Sequence, residues 1–258
     1  MIELERIAVA LGGRTVLEDV TLTVAAGGWT TLIGANGAGK TTLLRVVSGA
    51  LDCDGSVSVA GRDPRRAQVS RRARDIAIVW QSPLLPLDMS VGEYVLLGRT
   101  PYLGMLGRAG ARDRRATGEA LRRLDLDRLA DRRLGALSGG ERQRATLARA
   151  IAQEAPVLLL DEPTTALDVG RQQEALELVG ELRAERGLTV LGAMHDLTLA
   201  GQYADRLALL DGGRLVHHGP PAEVLTRELI CRHYRARVDV LDMHGAPVVL
   251  PVRPRATA

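Results

Sequence analysis

Phenylalanine is absent from this chain of 258 residues, aromatic residues make up 2% of it, and Lys40 is its only lysine. The two cysteines, Cys53 and Cys231, are far apart, which argues against a disulfide framework or a short-spaced zinc motif. No stretch reaches the roughly 20 uninterrupted apolar residues that a membrane-spanning helix requires. The first residues lack the basic and then apolar layout of a secretory signal, so we expect none.

The composition is that of a folded protein, with 46% hydrophobic and 25% charged residues. The length fits one sizeable domain or two small lobes that share a core. The net charge is only +3, and 33 of the 34 basic residues are arginine, which we interpret as a coding bias. A basic cluster within 62–74 therefore indicates a solvated face more than it indicates a nucleic-acid-binding surface. Its members are Arg65, Arg66, Arg71, Arg72 and Arg74.

Lys40 lies in a glycine-rich string, Gly34-Ala-Asn-Gly-Ala-Gly-Lys-Thr-Thr42, that fits the phosphate-loop pattern. The preceding stretch Trp29–Ile33 predicts a buried strand. The following stretch 41–51 has leucine and valine at helical spacing. A glycine-rich turn before a helix is the structural alternative, but the strand–loop–helix context favours a phosphate-binding loop.

Each residue type in this string suits the chemistry of phosphate binding. The glycines let backbone N–H groups turn toward an anion at a positive helix end. Lys40 can reach the β- and γ-phosphates, and the Thr41 hydroxyl can bind Mg²⁺. We predict that the whole string contacts the nucleotide: Gly34, Ala35, Asn36, Gly37, Ala38, Gly39, Lys40, Thr41 and Thr42. This loop alone is compatible with a kinase, a GTPase, a motor or a transport ATPase.

Two acids follow a second apolar run. Residues 157–160 are typical of a parallel strand buried on both faces, and Asp161-Glu162 come next. Ligands bind outside the carboxyl ends of strands in open parallel sheets. We therefore predict that Asp161 holds Mg²⁺ and that Glu162 polarises the attacking water; a helix-capping pair is the alternative.

Gln81 and His195 also follow strand-like stretches, 77–80 and 188–194. A lone Gln or His is usually a surface or a satisfied core residue. Here both would lie at the same edge of the sheet as the phosphate loop. Gln81 could then bind the metal or the water, and His195 could bond the γ-phosphate or orient Glu162.

The string Leu137-Ser-Gly-Gly-Glu-Arg-Gln143 precedes a helix predicted to run through Gln153. Ser138 and Glu141 form a capping-box pattern, so a well-capped helix is the simplest interpretation. The two glycines are not needed for capping, and they leave backbone N–H groups at a positive helix end. A second anion site in one chain suggests a nucleotide held between two copies.

Together these motifs resemble ATP-binding cassette (ABC) ATPases. The matches are 34–42, Gln81, 137–143, 157–163, 166–168 and His195-Asp196, which cover most of residues 1–220. The resemblance implies an α/β fold. Its P-loop, RecA-like core would have a mostly parallel sheet, an antiparallel N-terminal β lobe and a helical insertion. The strand–turn–strand at 207–216 should close the core. The ATPase domain would span 1–225, with a nucleotide-binding core (1–82 and 154–225) and a helical lobe (83–153), followed by a short extension (226–258).

The resemblance also implies a head-to-tail homodimer that holds two ATP molecules and Mg²⁺ at its interface. Glu162 would be the catalytic base and His195 the switch residue, with Gln81 and Lys40 also catalytic. The metal would contact Thr41, Gln81 and Asp161. Each ATP would also contact the other copy through Ser138, Gly139, Gly140, Glu141 and Asp168. Where the family has an adenine-stacking aromatic, this chain has Leu11, which offers apolar contact without ring stacking. We expect Leu11 and Val16 to contact the nucleotide, and Val16 and Arg14 could help to recognise the base.

Chain length and the single set of motifs favour transport over DNA repair or translation. Segments 94–101, 195–205 and 219–226 resemble ATPase subunits of bacterial importers for iron–siderophore complexes, haem and cobalamin. That group implies integral-membrane permease subunits, an extracytoplasmic substrate-binding protein and a peripheral location on the cytoplasmic face of the cell membrane. The alternatives are an ABC ATPase for another substrate and a nucleic-acid-associated ABC ATPase, although we expect no nucleic-acid partner.

Overall fold

The computed structural model describes residues 1–81, 83–103, 107–165 and 167–253. Ala166, part of the 166–168 motif, and residues 254–258 of the predicted extension lie outside the described residues. The strands in these ranges are β1 (Ile2–Leu11), β2 (Arg14–Val24), β3 (Trp29–Ile33), β4 (Asp54–Val59), β5 (Ile76–Val79), β6 (Val157–Asp161), β7 (Thr189–Ala193), β8 (Arg206–Asp211), β9 (Arg214–Gly219), β10 (Val238–Met243) and β11 (Ala246–Pro251).

The α-helices in the same ranges are α1 (Lys40–Val47), α2 (Val69–Asp75), α3 (Val91–Leu96), α4 (Ala111–Arg123), α5 (Gly139–Ala152), α6 (Val169–Arg186), α7 (Leu197–Tyr203), α8 (Pro221–Val224) and α9 (Arg227–Tyr234). Short 3₁₀ helices occupy Leu97–Tyr102, Asp127–Leu129 and Leu134–Ala136. None of the described helices combines the length and the apolar character that crossing a bilayer demands.

The central sheet has the strand order β5-β6-β7-β3-β8-β9. The first five strands are parallel, and β9 pairs antiparallel with β8. Every residue of β3, β6 and β7 is buried, which explains why these strands are nearly continuous apolar runs. Because the strands are parallel and adjacent, the segments that follow β3, β6 and β7 emerge at one edge. The predicted mostly parallel core is confirmed.

An antiparallel sheet of β2, β1 and β4 forms the predicted N-terminal lobe. β1 and β2 join through Gly12 and Gly13, whose φ angles of 56° and 76° suit a tight hairpin turn. The inner face of this sheet shares a hydrophobic core with α1, where Leu43 and Leu44 are fully buried. The lobe therefore packs against the helix that follows the phosphate loop.

Helices α3, α4 and α5 lie in the predicted helical insertion. α3 starts at Ser90 with a capping box to Glu93, as the loop-then-helix pattern predicts. Arg99 is only 1% exposed and pairs with Asp113 at 3.0 Å and Glu154 at 2.8 Å. It ties α4 to the end of α5.

Several predicted bounds differ from the structure. α5 ends at Ala152, one residue before the predicted Gln153, and β7 is one residue shorter at each end than the predicted 188–194. The helix after the phosphate loop ends at Val47, four residues before the predicted end, because Gly49 adopts a left-handed conformation (φ 69°) and the Ala50 N–H donates to the Arg45 carbonyl oxygen at 2.9 Å. β5 ends at Val79, so Trp80 lies outside it. The division of the chain at residue 225 stays a prediction.

Candidate nucleotide-binding site

The phosphate loop leaves β3 and enters α1 through three glycines with positive φ: Gly34 (148°), Gly37 (80°) and Gly39 (104°). A Cβ on Gly34 would lie 2.2 Å from the Leu210 carbonyl oxygen, and one on Gly39 would lie 2.6 Å from Leu17 Cδ2. No larger residue fits at either position without displacing its surroundings. The loop's shape therefore depends on glycine in the way that the sequence pattern predicts.

Lys40 folds back onto its own loop. Its Nζ donates hydrogen bonds to the carbonyl oxygens of Gly34 (2.7 Å) and Ala35 (3.2 Å). Burial lowers the pKa of Lys40, and the charges of Glu162 and Asp161 partly offset this effect. The ammonium group is thus held at the wall of a cavity of about 190 Å³ lined by Val16, Asn36, Gly37, Ala38, Gly39, Lys40, Thr41, Thr42, Glu162 and His195.

Val16 lines this cavity, whereas Leu11 is not among the lining residues. Leu11 is the last residue of β1 and is 43% exposed. Its predicted contact with adenine stays a prediction.

Thr41 and Asp161 bring two oxygen donors together. The Thr41 hydroxyl donates to Asp161 Oδ1 at 3.1 Å. Burial raises the pKa of Asp161, and the hydrogen bond from Thr41 partly offsets this. A hydroxyl and a carboxylate are the hard oxygen ligands that Mg²⁺ prefers beside substrate phosphates, so this pair fits the predicted metal.

Glu162 is the centre of a hydrogen-bonded cluster. Gln81 Nε2 donates to its Oε2, and His195 Nε2 contacts its Oε1. The Thr165 hydroxyl lies 3.3 Å from Oε2. Glu162 is 8% exposed and has φ 51°, a backbone region that is uncommon for non-glycine residues and recurs at functional sites. The structure therefore brings together the strand-end side chains Gln81, Glu162 and His195.

The Ser138 region forms a separate site. Ser138 caps α5: its hydroxyl accepts the Glu141 N–H at 3.2 Å, and Glu141 Oε2 accepts the Ser138 N–H at 2.7 Å. Asp168 caps α6 by accepting the Arg171 N–H at 2.9 Å. Both helix starts line a second cavity of about 410 Å³, which shares no lining residue with the first and is bounded by Ser138, Gly140, Glu141, Arg144, Leu167, Asp168 and Arg171. Gly139, the first residue of α5, is exposed.

Three residues near the site were missed by sequence reasoning. Thr165 contacts Glu162 as described above. The buried Gln143 donates to the Pro163 carbonyl oxygen at 2.8 Å and so links α5 to the loop after Glu162. Tyr234 accepts the Gly34 N–H at 2.6 Å. Gln143 belongs to the 137–143 motif, which could have drawn attention to it; no local signal indicates Tyr234, 200 residues from its partner.

A glycine loop that cradles a lysine, a Thr–Asp oxygen pair and a buried glutamate beside Gln and His define the chain as a P-loop nucleoside triphosphatase. The comparison with family models is more specific. The model of the ABC transporter family matches residues 17–165. The chain belongs to this family, as the motifs predict, and is an ABC ATPase.

Characterised relatives extend the match over almost the whole chain. The chain is 42% identical to the hemin import ATP-binding protein HmuV of Rhodococcus jostii, over 96% of this chain and 85% of the relative. It is 38% identical to the ferric enterobactin transport ATP-binding protein FepC of Escherichia coli, over 96% of this chain and 93% of that protein.

Solved structures agree with the fold. A metal-chelate type ABC transporter in an inward-facing conformation superposes with a TM-score of 0.83 at 26% identity, covering 99% of this chain and 98% of the other. A bacterial ABC transporter cassette solved as a dimer gives a TM-score of 0.77 at 27% identity, covering 86% of this chain and 99% of the other. The P-loop cassette architecture is thereby confirmed.

Proposed function

We propose that this chain is the ATP-hydrolysing subunit of a bacterial importer for an iron chelate or haem, and that it works as a head-to-tail homodimer. The separation of the two cavities carries the proposal. One cavity has the phosphate loop and the Glu162 cluster, and the other has the exposed start of α5. A second copy, turned head to tail, would place its Ser138–Gly140 segment over the first copy's phosphate loop and complete the site.

In this dimer, different side chains would bind the phosphates, activate the attacking water and hold the metal. Lys40 exchanges its two carbonyl partners for phosphate oxygens, and the loop N–H groups bind the remaining phosphate charge. Glu162 takes a proton from the attacking water, while His195 and Gln81 hold its carboxylate in place. Thr41, Asp161 and Gln81 would hold Mg²⁺, which supplies charge neutralisation on the β- and γ-phosphates when bound.

The choice of substrate class rests on the relatives. One relative is named for hemin import and another for ferric enterobactin transport, and the identities of 42% and 38% are similar. The best-superposing transporter structure described above is of the metal-chelate type. These relatives support haem or a ferric chelate as the cargo. They do not add support for cobalamin. The proposal also includes permease subunits, an extracytoplasmic binding protein and a location on the cytoplasmic face of the membrane, as the family resemblance implies.

A groove between the core and the helical lobe is the surface that we assign to the permease. It has a volume of about 580 Å³ and apolar walls that include Ile76, Ile78 and Trp80. Val69, at 73% exposed, and Leu97, at 41%, also line it. Trp80 precedes Gln81 in the chain. A permease segment bound in this groove would therefore lie next to a residue that contacts Glu162.

The shared site is tested by mixing two inactive variants. Lys40→Ala damages the phosphate loop, and Ser138→Arg places a bulky cation at the start of α5. We expect each variant alone to hydrolyse ATP at less than about a tenth of the parental rate. In a head-to-tail dimer of the two, one site combines an intact phosphate loop with an intact Ser138 segment, so mixing restores activity. Sites formed within single copies predict no restoration, and that result contradicts the proposal.

The cargo is tested in cells. Deletion of the gene should abolish uptake of one labelled metal chelate or of haem. Complementation with the parental gene should restore that uptake, and complementation with the Glu162→Gln variant should not. Glucose uptake serves as the control for general energy supply. Unchanged uptake of haem and of ferric siderophores in the deletion strain would contradict the assigned substrate class.

The rival hypothesis of a nucleic-acid-associated ATPase relies on the arginines within 62–74. In the structure Arg65 pairs with Asp63 at 2.8 Å, Arg72 donates to the Gly49 carbonyl oxygen and Arg74 donates to that of Pro101. These guanidinium groups are engaged by their own chain, so no observation favours this hypothesis. Stimulation of hydrolysis by DNA or RNA that fades with added salt would revive it.

A further inference from the structure

The first residue of the phosphate loop is held by the C-terminal part of the chain. β3 ends at Ile33, which pairs with Leu209 of β8. The next N–H, that of Gly34, donates to the Tyr234 hydroxyl oxygen at 2.6 Å. Tyr234 is the last residue of α9, which lies in the predicted C-terminal extension, 226–258.

Gly34 is constrained from three directions. Tyr234 holds the N–H that precedes its Cα. A Cβ on residue 34 would lie only 2.2 Å from the Leu210 carbonyl oxygen, so the backbone of β8 closely approaches Gly34. Lys40 Nζ donates to the Gly34 carbonyl oxygen at 2.7 Å. Since glycine has the freest backbone of all residues, these contacts decide how the loop leaves the strand.

The helix that carries Tyr234 is itself anchored beside this point. His233 Nδ1 lies 2.8 Å from Asp211 Oδ2, at the end of β8. Ile230 is 1% exposed, and Arg235, the residue that caps the C-terminus of the helix, has φ 52°. Two consecutive side chains therefore reach the ends of the adjacent strands β3 and β8.

The Tyr234 hydroxyl suits a permanent acceptor role. Burial raises the pKa of Tyr234, so the phenol stays neutral at physiological pH and presents a lone pair to the Gly34 N–H. The ring is half-buried beneath the loop and does not line the nucleotide cavity.

We propose that Tyr234 is a positioning residue of the nucleotide site: its hydroxyl fixes the Gly34 peptide, so that the phosphate loop is preformed for ATP. The inference rests on ATP binding at this loop. Preforming a loop lowers the ordering cost of binding, and this benefit is the same in the ground state and in the transition state. Loss of the hydroxyl should therefore weaken nucleotide binding and leave the turnover rate nearly unchanged.

The test is Tyr234→Phe, which removes one oxygen and keeps the ring. We expect the Kd for ADP and the KM for ATP to rise about three- to tenfold, as the loss of one hydrogen bond implies, with kcat within about twofold of the parent. Tyr203→Phe is the matched control, because Tyr203 is a half-buried tyrosine on α7 that packs near Trp29, away from the loop. Unchanged Kd and KM in Tyr234→Phe overturn the proposal, whatever happens to its Tm.

A second measurement needs no variant. In the parent chain, the Gly34 amide should exchange with deuterium far more slowly than that of Gly12, at the exposed turn between β1 and β2. Equal exchange rates overturn the proposal even if Tyr234→Phe does not fold. ADP binding by the parent chain is measured in the same experiment. If the parent binds ADP but the two amides exchange at equal rates, the Tyr234 proposal fails while the proposed ATPase function stands.

Discussion

The cavity at the phosphate loop and the cavity at Ser138 differ in how far their polar groups are already paired. Around the phosphate loop, the polar groups of Lys40, Asp161 and Glu162 are buried and already engaged by hydrogen bonds within the chain. Around α5, the Ser138 segment is exposed and its side-chain contacts are those of an ordinary capped helix. A buried polar group must find partners in its own fold, whereas an exposed helix start is satisfied by water until a partner replaces it. Under the proposed function, the buried half would carry out hydrolysis and the exposed half of a second copy would complete its site.

The largest effect should come from Glu162→Gln, which removes the base and keeps the shape of the buried half. We expect hydrolysis to fall about 10²- to 10⁴-fold, while ATP still binds and the dimer stays closed. Phosphate release and analytical ultracentrifugation with ATP measure the two consequences. Glu177→Gln, on the exposed face of α6, is the control and should keep its rate. Near-parental turnover in Glu162→Gln would remove the glutamate from its assigned role.

The next effect concerns the stability of the helical lobe that carries Ser138. Arg99→Met should lower the free energy of unfolding by about 1–3 kcal/mol, because the Ala152 carbonyl oxygen and the carboxylates of Asp113 and Glu154 lose a charged hydrogen-bond donor. Arg112→Ala is the control: its side chain is 81% exposed and 3.7 Å from the same Glu154, so a loss of about 0–1 kcal/mol is expected.

Urea unfolding gives both values, and ADP affinity should stay parental in both variants under native conditions. Stability losses of equal size in Arg99→Met and Arg112→Ala would show that the Arg99 network does not support the helical lobe in the way its burial implies.

The smallest effect compares one aspartate from each half. Burial raises the pKa of Asp161, so the folded chain binds that proton more tightly than the unfolded chain does. The ionised carboxylate therefore costs stability, and this cost appears as pH rises through and above the ordinary range of aspartate. Asp161→Asn should raise the Tm at pH 7 by on the order of 2 °C without nucleotide, and the gain should vanish at acidic pH.

Asp168→Asn is the counterpart in the exposed half. Asparagine caps a helix about as well as aspartate, so the Tm of this variant should stay close to the parental value at both pH values. Thermal melts at pH 7 and at the acidic limit of reversible folding measure the difference. A lower Tm for Asp161→Asn at pH 7 would mean that the Thr41 hydrogen bond outweighs the burial of the charge.

Local patterns indicated much of this arrangement. Continuous apolar runs predicted β3, β6 and β7, and Ser-x-x-Glu spacing predicted the start of α5 at Ser138. Apolar periodicity alone placed the end of α1 too late. Gly49, with φ 69°, ends the helix through a left-handed cap, and the apolar spacing of residues 41–51 does not register that glycine.

Short stretches of sequence predict the residue types that the chemistry needs and the local elements that bear them: glycines before a lone lysine, acids after a buried strand and a serine before a helix. The packing of distant segments brings Gln81 and His195 to Glu162, places Tyr234 against Gly34, and puts Ser138 in a different cavity from Lys40. Capping and periodicity act over a few residues, whereas these contacts depend on strand order and packing between segments up to 200 residues apart.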